Sequence, residues 1–130
     1  MRPEGFLPDH LGVQWGEVAS GRASARFTVE QHHMAPNGYL HAGSVVALAD
    51  SVCGFGCMAS RPEGAVSFTT IELKSNFLSS GQQGHQIVAE GRLIHGGRTT
   101  QVWDARVENA ANGKLMAAFR CTQVILYPRA

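Results

Sequence analysis

From Ser44 to Ser60 the chain carries no Lys, Arg or Glu, and Val45, Val46, Leu48, Val52, Phe55 and Met58 spread apolar surface around nearly every side. A segment of this length with so few polar positions reads as a helix that protein must wrap on most sides. Gly54 and Gly56 each lower its intrinsic helix propensity by about 1 kcal/mol, so burial has to hold it together. Small residues there also let another element come close. Any fold open to this chain is built around that helix.

The flanking sequence supplies the wrapping. Arg22–Glu30 alternates, with Ala23, Ala25, Phe27 and Val29 facing one way and Arg22, Ser24, Arg26, Thr28 and Glu30 the other. A period of two marks a half-buried strand, and Val13–Ala19, ahead of the Ser20-Gly21 turn, reads as its hairpin partner. Residues 31–43 read as a loop punctuated by Pro36 and Asn37-Gly38. Beyond the Arg61-Pro62-Glu63-Gly64 break, Ala65–Phe77, Gln86–His95, Thr99–Asn109 and Lys114–Leu126 read as strands. Asn112-Gly113 is a two-residue hairpin signal before the last of them. Two short strands, one buried helix and a meander of long strands imply an α+β fold, an antiparallel sheet wrapped around one long central helix. Nothing repeats, so one domain over residues 1–130 is expected, with 1–11 a loose or weakly helical N-terminal segment. An open sheet has edges to cover, and pairing with a second copy does so economically; a homodimer at least is expected.

Bulk properties narrow the function classes. A chain of 130 residues can bury a core without disulfides or metals, and an apolar fraction of 44% is ordinary for a globular domain. Eleven basic against ten acidic residues, with no Lys or Arg run, leave no electrostatic footprint for nucleic acid or an acidic membrane surface. The first residues lack a secretory apolar stretch, and no segment approaches the length of a membrane span. Three cysteines without framework spacing fit a reducing compartment, so a cytoplasmic location is expected.

One acid, Asp50, sits in the middle of the apolar helix. Three and four residues away stand Val46, Ala47, Cys53 and Gly54, none able to pair with a carboxylate. A plain reading places Asp50 on a narrow exposed strip with Ser51; the sharper one gives the acid a chemical task. Upstream, Asn37-Gly38-Tyr39-Leu40-His41-Ala42-Gly43 leads straight into the helix. A first helical turn presents unpaired N–H groups, and with Ala42 and Gly43 there a substrate carbonyl could approach them, as an oxyanion hole requires. Ala42 and Asp50 are eight residues apart, about 12 Å along a helix axis. One helix cannot aim both at a single carbonyl carbon. Two antiparallel copies across a twofold axis can, so a site shared between subunits is expected if the groups act together.

His41-Ala42-Gly43-Ser44-Val45-Val46-Ala47-Leu48-Ala49-Asp50, followed by Thr69-Thr70-Ile71-Glu72-Leu73-Lys74-Ser75-Asn76-Phe77-Leu78, resembles the hotdog-fold acyl-CoA thioesterases of the phenylacetate-degradation (PaaI-like) group. The similarity runs from about Gly12 to Leu126. It implies an acyl-CoA substrate, no cofactor beyond the coenzyme A that is part of that substrate, and dimers that pair into tetramers. It further implies Asp50 as nucleophile or general base and the Ala42 amide as oxyanion donor. His41 would orient the start of the helix, and the Thr70 hydroxyl would assist the water or the acid. The family usually has Asn or Gln seven residues before the oxyanion amide; that position here is Ala35, and Asn37 is the nearest substitute. Gly43 and Phe77 are candidates for the substrate pocket, and Gly97 and Arg98, in the His95-Gly96-Gly97-Arg98 turn, for a coenzyme A phosphate.

Other residues take plainer readings. His32, His33 and His41 have no Cys or carboxylate at ligand spacing, so no metal is expected. Cys53 and Cys57 share a helix face as small hydrophobes. A hotdog dehydratase would need a His about five residues after the acid, and position 55 is Phe. The alternative from another class is a non-catalytic acyl-CoA-binding or oligomeric hotdog protein.

Overall fold

The computed structural model describes residues 4–129. The long helix, α2, spans Ala42–Ala59, starting two residues before the apolar run because His41 caps it: the Gly43 N–H donates to His41 Nδ1 at 2.7 Å. Leu48, Val52, Cys53 and Cys57 on α2 are fully buried against the sheet, each large aliphatic contributing about 1.5–3 kcal/mol. The helix glycines explain themselves. A Cβ on Gly56 would stand 2.5 Å from the Trp103 ring, and one on Gly54 2.7 Å from Phe68. Aromatic rings from the sheet occupy the space that side chains would have taken.

At 18 residues and a mean hydropathy of 1.5, α2 is long and apolar enough by composition to cross a membrane, which corrects the expectation that no segment reaches that length. A six-stranded sheet instead curves around it. Strands β1 (Gln14–Ala19), β2 (Arg22–Thr28), β3 (Ser67–Phe77), β4 (Gln86–Gly96), β5 (Thr100–Asn109) and β6 (Lys114–Leu126) lie in the order β1-β2-β4-β5-β6-β3. Every neighbouring pair is antiparallel. The inner face of β2 is the expected one, with Ala23, Ala25 and Phe27 buried. The strand stops at Thr28 rather than Glu30, because Glu30 already caps a 3-10 turn over Gln31–His33.

That turn also corrects the reading of 31–43 as unbroken loop. His33 is buried and stacked on Phe27, its Nδ1 accepting from the Glu30 N–H at 2.8 Å. Nε2 therefore carries the ring proton and donates to the Leu11 carbonyl 2.7 Å away, tying down the N-terminal segment. Within that segment Leu7–His10 forms a single turn, α1; residues 1–3 lie outside the described range. The Asn112-Gly113 expectation also needs correction. The last β5–β6 pair is Asn109↔Lys114, so four residues, not two, make the loop. The buried Asn109 sets this length: its Oδ1 accepts from the Ala111 N–H and its carbonyl from the N–H of Gly113, which sits at φ +70°.

Cys53, Cys57 and Cys121 are free and buried. Hydrogen bonding to Cys121, with burial, pushes the Cys53 thiol far up, and burial pushes Cys57 up to about 11. Both stay protonated at neutral pH, as inert packing groups.

Candidate active site

Asp50 lies midway along α2 on its least covered strip, where Val46, Ala47, Asp50 and Ser51 are all half-buried. The partner that the helix itself could not provide comes from the sheet. Thr70 on β3 places its Oγ1 2.8 Å from Asp50 Oδ1. A bulge follows at once: Thr70 pairs with Gln123 and Glu72 with Thr122, leaving Ile71 as the extra residue. The extra residue switches the parity of the strand. Phe68 and Thr70 take the helix-facing side before it; after it Leu73, Ser75 and Phe77 do, paired with the buried Cys121, Phe119 and Ala117, although Leu73 and Phe77 stay largely exposed at the sheet edge. The β-rich pattern of Ala65–Phe77 therefore hid which face each residue takes.

The structure brings Asp50 and Thr70 together and keeps the other candidates apart. At the N-terminus of α2, His41, Ala42 and Gly43 are all exposed. The Gly43 N–H is taken up by His41, while among the described residues nothing accepts from the Ala42 N–H. A Cβ on Gly43 would stand 2.9 Å from the His41 ring, so a side chain there would have to push that ring out of its cap. This amide end lies about 12 Å from Asp50 along the helix. Asn37 is exposed and uses its Oδ1 to accept from the Tyr39 N–H at 3.2 Å; the Ala35 N–H donates to the Tyr39 carbonyl in the same small turn.

The β4–β5 turn lies at the opposite end of the sheet, where Gln101 Nε2 donates to the carbonyl of Ser60 just beyond α2. Gly97 forms that turn, its N–H donating to the Thr100 carbonyl, and the Arg98 guanidinium lies over the Tyr127 ring at 5.1 Å. Phe77, at the far end of β3, is 47% exposed and about 20 Å along the strand from Thr70. Phe55, the position a dehydratase would give to His, stacks on Trp15 with centroids 4.1 Å apart. His33 has both ring nitrogens engaged by backbone groups, which leaves it no lone pair for a metal.

Gln123 is the residue that sequence reading missed. It is fully buried and lies 2.8 Å from the Thr70 hydroxyl. Its signal was present: an amide standing between Cys121 and Ile125 at an inward position of an alternating strand.

The profile of the Thioesterase superfamily matches residues 37–116, from Asn37 through Asp50 and Thr70 into β6. The chain belongs to the thioesterase superfamily. This thioester hydrolase is 32% identical over 116 residues to the 1,4-dihydroxy-2-naphthoyl-CoA hydrolase of Listeria monocytogenes, covering 89% of this chain and 92% of that one. Among solved structures it is similar to a variant of the Pseudomonas aeruginosa thioesterase PA1618, with a TM-score of 0.84, 29% identity, and coverage of 92% and 84% of the two chains. The Escherichia coli PaaI protein shares the fold at a TM-score of 0.84 and 23% identity, over 92% of this chain and 83% of its own. The thioesterase thus has the hotdog fold of the PaaI-like group, with α2 enclosed by the sheet.

Proposed function

We propose that this thioesterase hydrolyses acyl-CoA thioesters, with Asp50 as the reacting carboxylate and the Ala42 amide as the donor to the carbonyl oxygen. The observation that carries this reading is the Thr70 hydroxyl held 2.8 Å from the Asp50 carboxylate, in a superfamily member whose α2 presents an unobstructed amide at its first turn. The CoA thioester class is carried over from the listerial relative, which is named for one.

Two balanced routes fit. Asp50 can attack the carbonyl carbon, expelling the CoA thiolate and leaving a mixed anhydride that water then cleaves to the acid and free Asp50. Alternatively, Asp50 takes a proton from water as the water oxygen bonds to the carbonyl carbon, and the departing sulfur leaves as the thiol. In both, negative charge gathers on the carbonyl oxygen, where a backbone N–H and the positive end of a helix stabilise it. His41 holds the turn that presents the Ala42 amide, and Asn37 orders the loop before it. Gly97 and Arg98 meet a CoA phosphate, while Gly43 and Phe77 line the path of the acyl chain. A cytoplasmic setting, the expected one for three free cysteines, completes the reading.

The site is proposed to form between two subunits. β3 is an 11-residue edge strand that exposes Ile71, Leu73 and Phe77, the kind of long apolar edge that proteins cover. Pairing two β3 edges about a twofold axis sets the helices antiparallel, so the Ala42 end of one can meet Asp50 of the other; two such dimers would make a tetramer.

A panel of aryl, short, medium and long acyl-CoA thioesters tests the activity by release of free CoA thiol. Turnover of at least one class is expected, and none across the panel leaves the non-catalytic binding protein in its place. Subunit sharing has a separate test. Ala42→Pro deletes the amide at a first-turn position where proline is tolerated, and His41 already has the extended backbone that precedes a proline. A verified heterodimer of Ala42→Pro and Asp50→Asn chains has one intact site of two and should show about half of wild-type activity. No activity in such heterodimers would place both groups within one chain.

A further inference from the structure

Behind Asp50 and Thr70 lies a buried polar chain. Thr70 Oγ1 stands 2.8 Å from Asp50 Oδ1 and 2.8 Å from Gln123 Oε1, both of them acceptors. A hydroxyl has one proton and cannot donate to both. An ionised Asp50 can only accept, so the hydroxyl can serve it only if the amide of Gln123 turns its N–H toward Thr70. The amide oxygen then takes the place of Nε2, 3.5 Å from the Cys121 sulfur, whose S–H can donate to it. Each donor then finds one acceptor: Cys121 to Gln123, Gln123 to Thr70, Thr70 to Asp50.

We infer that Gln123 is a positioning residue for the hydrolysis, fixing the Thr70 proton on the Asp50 carboxylate. The inference rests on the reading of Asp50 as the reacting acid. One comparison within the fold and the strand register support it. Gln101, the cross-strand neighbour of Gln123 on β5, is also buried, but both ends of its amide are spent on structure: Oε1 accepts from Trp103 Nε1 at 2.8 Å and Nε2 donates to the Ser60 carbonyl. Gln123 has no such anchor. Its contacts are the Cys121 sulfur and a hydroxyl that itself touches Asp50. Packing alone does not call for an amide here, since Met fills a similar volume without a polar atom to satisfy. Moreover, Thr70 and Gln123 are direct register partners across β3 and β6, with the Ile71 bulge immediately after Thr70. The strand bends where the hydroxyl must be aimed.

The test is a double-mutant cycle on a substrate identified by the panel. Gln123→Met should lower kcat about tenfold while KM changes less than twofold, because the amide acts on the reacting carboxylate and not on substrate binding. Added to Thr70→Val, it should cost less than about twofold more, since its effect passes through the hydroxyl. A residue needed only for packing would instead multiply the two losses. Unchanged or raised kcat in Gln123→Met, or a full tenfold loss retained in the Thr70→Val background, overturns the inference. If Gln123→Met does not fold, Gln123→Asn runs the same cycle: it keeps an amide one methylene short of Thr70 and should show the same loss and the same masking. Asp50→Asn separates the two levels. Activity surviving that change removes the reading of the acid and this inference together; an inactive Asp50→Asn beside a fully active Gln123→Met removes the inference alone.

Discussion

Asp50→Asn is expected to fold as the wild type and to lose at least about a hundredfold in kcat, the loss expected when a positioned acid, base or nucleophile is removed. The fold survives because asparagine keeps the shape of aspartate and its Oδ1 can still accept from Thr70 Oγ1, now 2.8 Å from the carboxylate. The half-buried site also sheds a charge that has no cationic partner on its own helix turn. What disappears is the negative oxygen that either attacks the thioester or takes a proton from water. Circular dichroism and a melting curve matching wild type, with CoA release down by two orders of magnitude, would bear this out. Retention of more than about a tenth of the activity would mean that the acid only anchors β3 to α2.

The largest stability effect should come from Gly56→Val. The missing Cβ would lie 2.5 Å from Cη2 and 2.7 Å from Cζ3 of Trp103, inside any tolerable contact. Trp103 cannot withdraw, because it is fully buried and its Nε1 donates to Gln101 Oε1 at 2.8 Å. Removing a helix glycine ordinarily gains up to about 1 kcal/mol, but overpacking costs typically 1–3 kcal/mol and a β-branched side chain adds to it. A net loss of about 3 kcal/mol, or about 10 °C in Tm, is expected by calorimetry. Gly54→Ala provides the contrast: its obstacle is the half-buried Phe68 ring, which can shift, so the change in Tm should be much smaller. Equal melting of the wild type and Gly56→Val would contradict this packing of Trp103 on Gly56.

Much of the fold was legible because its cause is local. The helix announced itself by an apolar run without Lys, Arg or Glu, and the sheet by alternation on β2 and β5. Both patterns follow from side-chain periodicity, which the backbone repeat imposes within a few residues. Element ends were less legible, because caps decide them. His41 extends α2 to Ala42, and the buried Asn109 lengthens the final hairpin loop to four residues. The acid was visible as an anomaly, a carboxylate with no partner at helical spacing. Its relation to Thr70 followed only from resemblance, since the two lie twenty residues apart on different elements.

By itself, then, the sequence determined a wrapped helix, an antiparallel sheet and an acid that needed explaining, because hydrophobic periodicity is written residue by residue. Tertiary structure alone decided which groups meet that acid. The Ile71 bulge reverses the parity of β3, and no pattern of period two carries across an inserted residue. Gln123 gains its place beside Thr70 from a register set across two strands 53 positions apart. Asp50 sits where the helix surface ends and the sheet's polar chain begins, a juxtaposition that exists only once both are packed.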